Sequence, residues 1–136
     1  GLARFYEGDN RTAISDFRRA LALSDDSYSM IFLFLSRARA GEDAREELLA
    51  NAAKLKSRDW PYAAIEMLAG AATGQGVLPE ANRRNEICEA NYYTGQYSLL
   101  RNDREAALRY FLLAEQNCPK TIFEFAAARA ELRRLR

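Results

Sequence analysis

Residues 85–119 read NEICEANYYTGQYSLLRNDREAALRYFLLAEQNCP, and this stretch decides the fold. A polar turn at Asn102-Asp103 divides it into two segments with helical patterns. The second segment carries Ala107, Phe111 and Ala114 at the spacing of one helical face. Small residues let two helices approach closely, and an aromatic ring fills the space that remains between them. The stretch therefore predicts an antiparallel helix hairpin that ends before Pro119.

The same pattern occurs a second time in the chain. A shift of 94 residues superimposes residues 1–25 on the hairpin just described. Two copies in phase indicate a helical repeat, because each hairpin needs a neighbour to cover its apolar face. The matched pairs are Gly1 with Gly95, Asp9 with Asp103, Ala13 with Ala107, Phe17 with Phe111, and Ala20 with Ala114.

Between the two copies, helix patterns alternate with turn signals. Residues 27–40 are apolar almost all round, which predicts a helix covered on several sides. Residues 43–55 form a further predicted helix, and a short one follows Trp60-Pro61 and ends near Gly70. The glycines and the proline of residues 71–84 predict a loop. No period-two pattern is long enough to predict a strand.

Helix starts are predicted from side chains that accept hydrogen bonds from free backbone N–H groups. Asn10 is the predicted cap of the helix in the first copy. Three capping boxes are predicted further along the chain, each with an acidic residue three positions after the cap. They are Asp43 with Glu46, Asn102 with Glu105, and Thr121 with Glu124.

The hairpin of residues 85–119 resembles the tetratricopeptide repeat (TPR), a helix-turn-helix unit of about 34 residues. The resemblance rests on Gly95, Ala107, Phe111, Ala114 and Pro119. It implies an all-α fold, an α-solenoid of antiparallel helix hairpins in a TPR-like superhelix, with an irregular helical insert and a C-terminal capping helix. One TPR-like domain would span residues 1–136. Its expected parts are a partial repeat at 1–25, a degenerate repeat at 27–55, the insert at 60–84, the repeat at 85–119 and the capping helix at 121–136.

The order of these parts carries a second resemblance. A degenerate hairpin, a short helix led by Trp60, and a repeat with Tyr92, Tyr93 and Gly95 are similar to bacterial periplasmic TPR lipoproteins. Those proteins resemble adaptors for cell-wall enzymes and proteases. The resemblance favours a periplasmic or exported location over a cytoplasmic one. The chain opens at Gly1 without a methionine, and we interpret it as a fragment or a processed form.

Composition argues against catalysis and against several classes of ligand. The chain has no histidine, which is the commonest general base and metal ligand, and its two cysteines cannot complete a zinc site alone. With 20 basic and 19 acidic side chains, it lacks the concentrated basic surface that nucleic acid requires. Its longest apolar run, residues 30–35, is too short to span a membrane. We therefore expect a protein that is not an enzyme, without cofactor, metal ion, nucleic acid or membrane span.

The resemblance also implies a concave groove lined by the first helix of each hairpin, and this groove is the predicted binding site. Aromatic and arginine side chains are common in binding hot spots. The alternative for the aromatic residues of the groove is that they belong to the core. The residues placed in the groove are Phe5, Phe32, Ser36, Arg39, Glu89, Tyr92, Gln96, Leu99, Phe123 and Arg133.

The predicted function is that of an adaptor or scaffold that binds a partner protein or peptide in the groove. The alternative is a structural or dimerising segment of a larger multi-repeat protein. In that case the groove is filled internally, and a homodimer is the expected assembly. Nothing in the sequence identifies the partner.

Cys88 and Cys118 lie at the same end of the predicted hairpin, nearly equidistant from its turn. They are the only cysteines in the chain, so each has one candidate partner. An even number of cysteines without metal-binding companions fits a disulfide in an oxidising compartment. The alternative is a pair of buried thiols that pack as small apolar groups.

We predict that reduction lowers the melting temperature of protein purified from an oxidising compartment. A disulfide that closes a loop of about 30 residues stabilises a fold by about 3–4 kcal/mol, because it restricts the unfolded chain. Thermal unfolding with and without reductant measures the effect. Cys88→Ser is the control, since its melting temperature should not respond to reductant. Two free thiols in a titration of the oxidised protein would contradict the bond.

Overall fold

The computed structural model describes residues 1–70 and 83–136, and the regular secondary structure in these ranges is helical. Helices account for 74% of the described residues, which confirms the predicted all-α class. Most of the predicted loop at 71–84 lies outside the described residues. The helices are α1 (Leu2–Glu7), α2 (Asn10–Leu23), α3 (Ser27–Arg39), α4 (Arg45–Ala52), α5 (Tyr62–Leu68), α6 (Arg84–Leu100), α7 (Arg104–Asn117) and α8 (Phe123–Leu135).

The chain divides into two compact units, Gly1–Ile65 and Glu66–Arg136. In the first unit, α2 packs against α1 and α3, and α3 also contacts α4. In the second unit, α7 packs against α6 and α8, and α6 also contacts α8. Helices that follow one another in the sequence are therefore neighbours in space within each unit, as short connections require.

A glycine facing a phenylalanine ring sets the approach of α6 to α7. A methyl group on the Gly95 Cα atom would lie 2.6 Å from Phe111 Cε1, far inside van der Waals contact. Phe111 is fully buried, so its ring has no open space to move into. Gly1 stands in the same relation to Phe17, whose Cε1 atom would also lie 2.6 Å from the added carbon. Only glycine allows this approach.

The turns of the two copies are also alike. Gly8 follows α1 with a φ of 85°, and Asn102 follows α6 with a φ of 59°. In both turns this left-handed residue and the next residue donate backbone hydrogen bonds of 2.9–3.1 Å to the last turn of the preceding helix. Such bonds satisfy carbonyl groups that a helix end otherwise leaves free.

An aspartate caps the second helix of each copy. The Asp9 carboxylate accepts a hydrogen bond from the Thr12 N–H group at 3.2 Å. In the second copy, the Asp103 carboxylate accepts one from the Ala106 N–H group at 3.1 Å. Both helices then run for 14 residues.

The caps predicted at Asn10 and Asn102 are therefore wrong by one residue each. Asn10 is the first residue of α2, one position too late. Asn102 occupies the left-handed position before the cap, a conformation that asparagine tolerates better than most residues.

Two other predicted helix starts are also wrong. α4 begins at Arg45 after Ala44, and the Asp43 carboxylate accepts a hydrogen bond from the Arg45 N–H group in a local turn. α8 begins at Phe123 without a side-chain cap, so Thr121 does not start it. An aspartate in a turn and an aspartate at a cap use the same acceptor atoms, which makes them hard to separate by sequence.

Left-handed residues recur at nearly equal intervals along the described chain. They follow α1, α3, α5 and α6, and their φ angles lie between 59° and 88°. The helix α5, which the sequence placed in an irregular insert, is therefore also followed by a left-handed residue, as α1 and α6 are. The residues are Gly8, Gly41, Gly70 and Asn102, separated by 33, 29 and 32 positions.

We predict that Gly95→Ala destabilises the protein by roughly 1–3 kcal/mol, because the new methyl group overlaps the buried Phe111 ring. At an unhindered helical position the same change stabilises by about 0.5–1 kcal/mol, so the sign of the effect is diagnostic. Denaturant titration gives the free energy of unfolding. In a Phe111→Leu background, where the ring is absent, the penalty should shrink. An equal penalty in both backgrounds would disprove the contact.

Candidate partner-binding surface

Three of the predicted groove residues in the first unit are buried. Phe5, Phe32 and Ser36 expose at most 3% of their surface. The rings of Phe5 and Phe32 meet edge to face with centroids 5.2 Å apart, and Ser36 Oγ donates to the Phe32 carbonyl at 2.7 Å. The partly exposed Arg39 lies over the Phe5 ring, with Cζ 3.9 Å from the centroid. The first three therefore belong to the core, which corrects their placement in a groove.

Two predicted groove residues of the second unit are buried as well. Tyr92 is fully buried with its ring centroid 5.8 Å from that of Phe111, and Gln96 Nε2 donates to the Tyr92 hydroxyl at 2.9 Å. Both side chains therefore pack inside the unit, and their placement in a groove is also corrected. The physical reason is that α6 is buried without interruption from residue 90 to residue 96, so it has no open face there.

The other predicted residues of the second unit reach the surface. Glu89, Leu99 and Phe123 are half-buried, and Arg133 is exposed. Glu89 in the second turn of α6 acts electrostatically on Glu124 in the first turn of α8, so the N-terminal parts of these two helices are close together. In each unit, the predicted groove residues thus include both residues of the core and residues that reach the surface.

The structure joins Cys88 to Cys118 by a disulfide, with the two Cα atoms 4.7 Å apart. Cys88 lies in the first turns of α6, Cys118 directly follows α7, and both are buried. The bond joins the N-terminal part of α6 to the residue that follows α7, at the end of the hairpin that lies opposite its turn. Among the described residues, no group of three histidine, cysteine, aspartate or glutamate side chains is arranged to hold a metal ion.

A groove of about 650 Å³ lies along the outer face of α2, away from the residues that the sequence predicted for binding. Residues 11, 15, 18 and 22 share this face at helical spacing, opposite the buried Ala13 and Phe17, and that periodicity was the available signal. Three arginines line the groove against one glutamate, so its lining is positively charged. The lining residues are Arg11, Ile14, Ser15, Arg18, Arg19, Ala22, Ala40 and Glu42.

Ion pairs among α2, α3 and the start of α4 hold one side of this groove. Arg18 Nε lies 3.3 Å from Glu47 Oε2, and Arg37 Nη1 lies 2.9 Å from Glu47 Oε1. Arg37 Nε also binds Glu42 Oε1 at 2.6 Å. Burial opposes the charge on Glu47, but the hydrogen bonds from Arg18 and Arg37 together outweigh it and lower the pKa of this carboxyl. Arg18 and Glu42 are thus engaged within the protein.

A buried carboxyl group lies in the first turn of α8. Glu124 exposes 9% of its surface, and its Oε2 atom accepts no hydrogen bond from the described residues. Burial, and secondarily the Glu89 carboxylate, raises the pKa of Glu124 from 4.5 to about 7. The side chain therefore keeps its proton at mildly acidic pH.

Comparison of the chain with models of protein families, with curated proteins and with solved structures found no match in any of the three. Within residues 1–70 and 83–136, every helix is too short or too polar to cross a lipid bilayer. Function must therefore be inferred from the residues themselves.

We predict that Glu124→Gln stabilises the protein at about pH 8 and has little effect at about pH 4. Between pH 4.5 and about 7 the unfolded chain releases a proton that the folded chain keeps, so wild-type stability falls as pH rises through this window. At about 1.4 kcal/mol per pKa unit, the loss above this window is roughly 2–4 kcal/mol.

Unfolding free energies of the wild type and of Glu124→Gln across this pH range measure the effect. Glu66→Gln, at an exposed position of α5, is the matched control and should follow the wild-type curve. Identical pH dependence in the wild type and Glu124→Gln would show that Glu124 is solvated.

Proposed function

We propose that the chain is a protein-binding adaptor built from TPR-like helix hairpins. The observation that carries the proposal is the repeated hairpin, in which the glycine–phenylalanine contact, the left-handed turn and the aspartate cap recur at a shift of 94 residues. Left-handed turns at intervals of 33, 29 and 32 residues support a repeat of tetratricopeptide length. Repeats of this kind present extended surfaces that serve mainly for binding other macromolecules.

The groove along α2 supports the binding role. It offers apolar surface together with arginine side chains, a combination that is common in protein interfaces. The concave groove implied by the resemblance receives less support, because half of its ten residues are buried within their own units. The binding surface of the proposed adaptor therefore includes the second helix of a hairpin.

One observation favours the alternative of a structural or dimerising segment. α3 is buried from Ser29 to Ser36 and α6 from Ala90 to Gln96, so neither helix has an open face at its middle. If the groove of the resemblance is filled by other parts of the protein, the first helix of each hairpin is expected to be covered on all sides, as α3 and α6 are at their middles. A segment of this kind would associate with its own copies or with the rest of a larger protein.

Capture of partners by the immobilised full chain, followed by calorimetric titration of each purified partner, separates the two functions. An adaptor gives a saturable complex of defined stoichiometry, and heat-denatured chain is the control because the surface depends on the fold. Sedimentation velocity at several concentrations is run in parallel. A chain that captures no partner and sediments faster as its concentration rises would refute the adaptor and favour the dimerising segment.

A further inference from the structure

The groove along α2 combines apolar lining with exposed guanidinium groups. Ile14, Ala22 and Ala40 contribute the apolar part, and Arg11 and Arg19 are exposed beside it. A volume of about 650 Å³ lies in the range of sites that enclose small ligands, and it accommodates several side chains of a peptide.

A helix hairpin of this kind does not need the arginines of this groove in order to form. α2 and α7 have the same length, an aspartate cap, and a buried alanine and phenylalanine at matching positions. The counterparts of Arg11, Arg18 and Arg19 on α7 are Glu105, Leu112 and Leu113. Because α7 forms and packs without arginine at these positions, the charge on α2 is a local feature of this surface.

Two of the arginines are available to a ligand. Arg11 forms no close ion pair with the residues that the structure describes, although its charge acts on the Asp9 carboxylate and contributes to the lowered pKa of that group. Arg19 pairs only with Asp16, at 3.2 Å, and 77% of its side chain is exposed, so that pair is weak and exchangeable. The one acidic residue of the lining, Glu42, is bound by Arg37. The lining of the groove thus carries more positive than negative charge, and two of its arginines are not held by a strong ion pair.

We propose that this groove binds an acidic peptide segment of a partner protein, an inference that rests on the adaptor function proposed above. Guanidinium groups pair with carboxylates through two parallel hydrogen bonds, which favours carboxylate ligands over neutral ones. Arg11 and Arg19 are eight residues apart, or about 12 Å along the helix axis. In an extended peptide, acidic side chains four positions apart are separated by about 13 Å and lie on the same face.

The residue midway between two such acidic residues also lies on that face. An apolar side chain at this position can contact Ile14, which lies between Arg11 and Arg19 along α2. The ligand is therefore an extended segment in which two acidic residues, four positions apart, flank a central apolar residue.

Fluorescence anisotropy with labelled peptides tests this site. The peptide SESLSES has the required spacing, SEESLSS has the same charge with adjacent glutamates, and SQSLSQS has no charge. SESLSES should bind the full chain saturably, and the other two should bind about tenfold more weakly or worse, since each loses at least one charge-assisted pair. Arg11→Glu with Arg19→Glu should weaken binding of SESLSES by about tenfold or more.

The matched control is Arg104→Glu with Arg109→Glu on α7, which changes the net charge equally at exposed positions. It should keep the affinity for SESLSES within about twofold. Circular dichroism melting checks that each variant folds, and Arg11→Gln with Arg19→Gln replaces the α2 variant if that variant does not fold. Equal losses in the α2 and α7 variants would show that affinity follows net charge and would overturn the site.

Three further outcomes would also overturn it. They are absence of saturable binding of SESLSES, equal binding of SQSLSQS, and tighter binding of anionic lipid vesicles or a DNA duplex than of SESLSES. Failure of the site is distinguishable from failure of the adaptor function. A captured partner protein that binds the α2 variant as tightly as the wild type refutes the groove alone, whereas the absence of any partner refutes both.

Discussion

The contact between a glycine and a phenylalanine ring governs each of the two matched hairpins. Because Gly95 has no side chain, α6 lies directly against the Phe111 ring, and the same holds for Gly1 and Phe17. A short turn joins the two helices of each hairpin. A left-handed residue provides the reversal, and an aspartate then caps the next helix at once. The glycine, the turn and the cap thus act together to form one close hairpin, and all three recur in both copies.

The two units supplement this shared hairpin in different ways. In the second unit, the Cys88–Cys118 disulfide closes the end of the hairpin that lies opposite the Asn102 turn. In the first copy, Ser24 stands at the position of Cys118, so no equivalent bond exists there. Instead, Glu47 on α4 joins arginines of α2 and α3 in ion pairs. The second unit thus contains a covalent link between its helices, whereas ion pairs link the helices of the first unit.

Burial also decides which helix faces remain open for the proposed binding function. The first helices of the hairpins supply much of the core, because α3 and α6 each contain an unbroken run of buried residues. The Phe32 ring packs against Phe5 and Phe17, and the Tyr92 ring packs against Phe111, so neither side chain is available to a partner. The second helix α2 has one buried face, and its other face remains open with its arginines. For this reason the α2 face, more than the face implied by the resemblance, carries the binding proposal.

The helical class, the duplicated hairpin and the stripe of small and aromatic residues could be predicted from the sequence, because periodicity and glycine placement act over a few turns of one helix. The sequence misplaced the caps by one residue, since asparagine suits both a cap and a left-handed turn, as Asn102 shows. Which helix faces are covered depends on packing between helices, because residues such as Tyr92 and Gln96 are buried by side chains that are distant in the sequence. The proton on Glu124 has the same origin: its raised pKa comes from burial between packed helices, which no local pattern records.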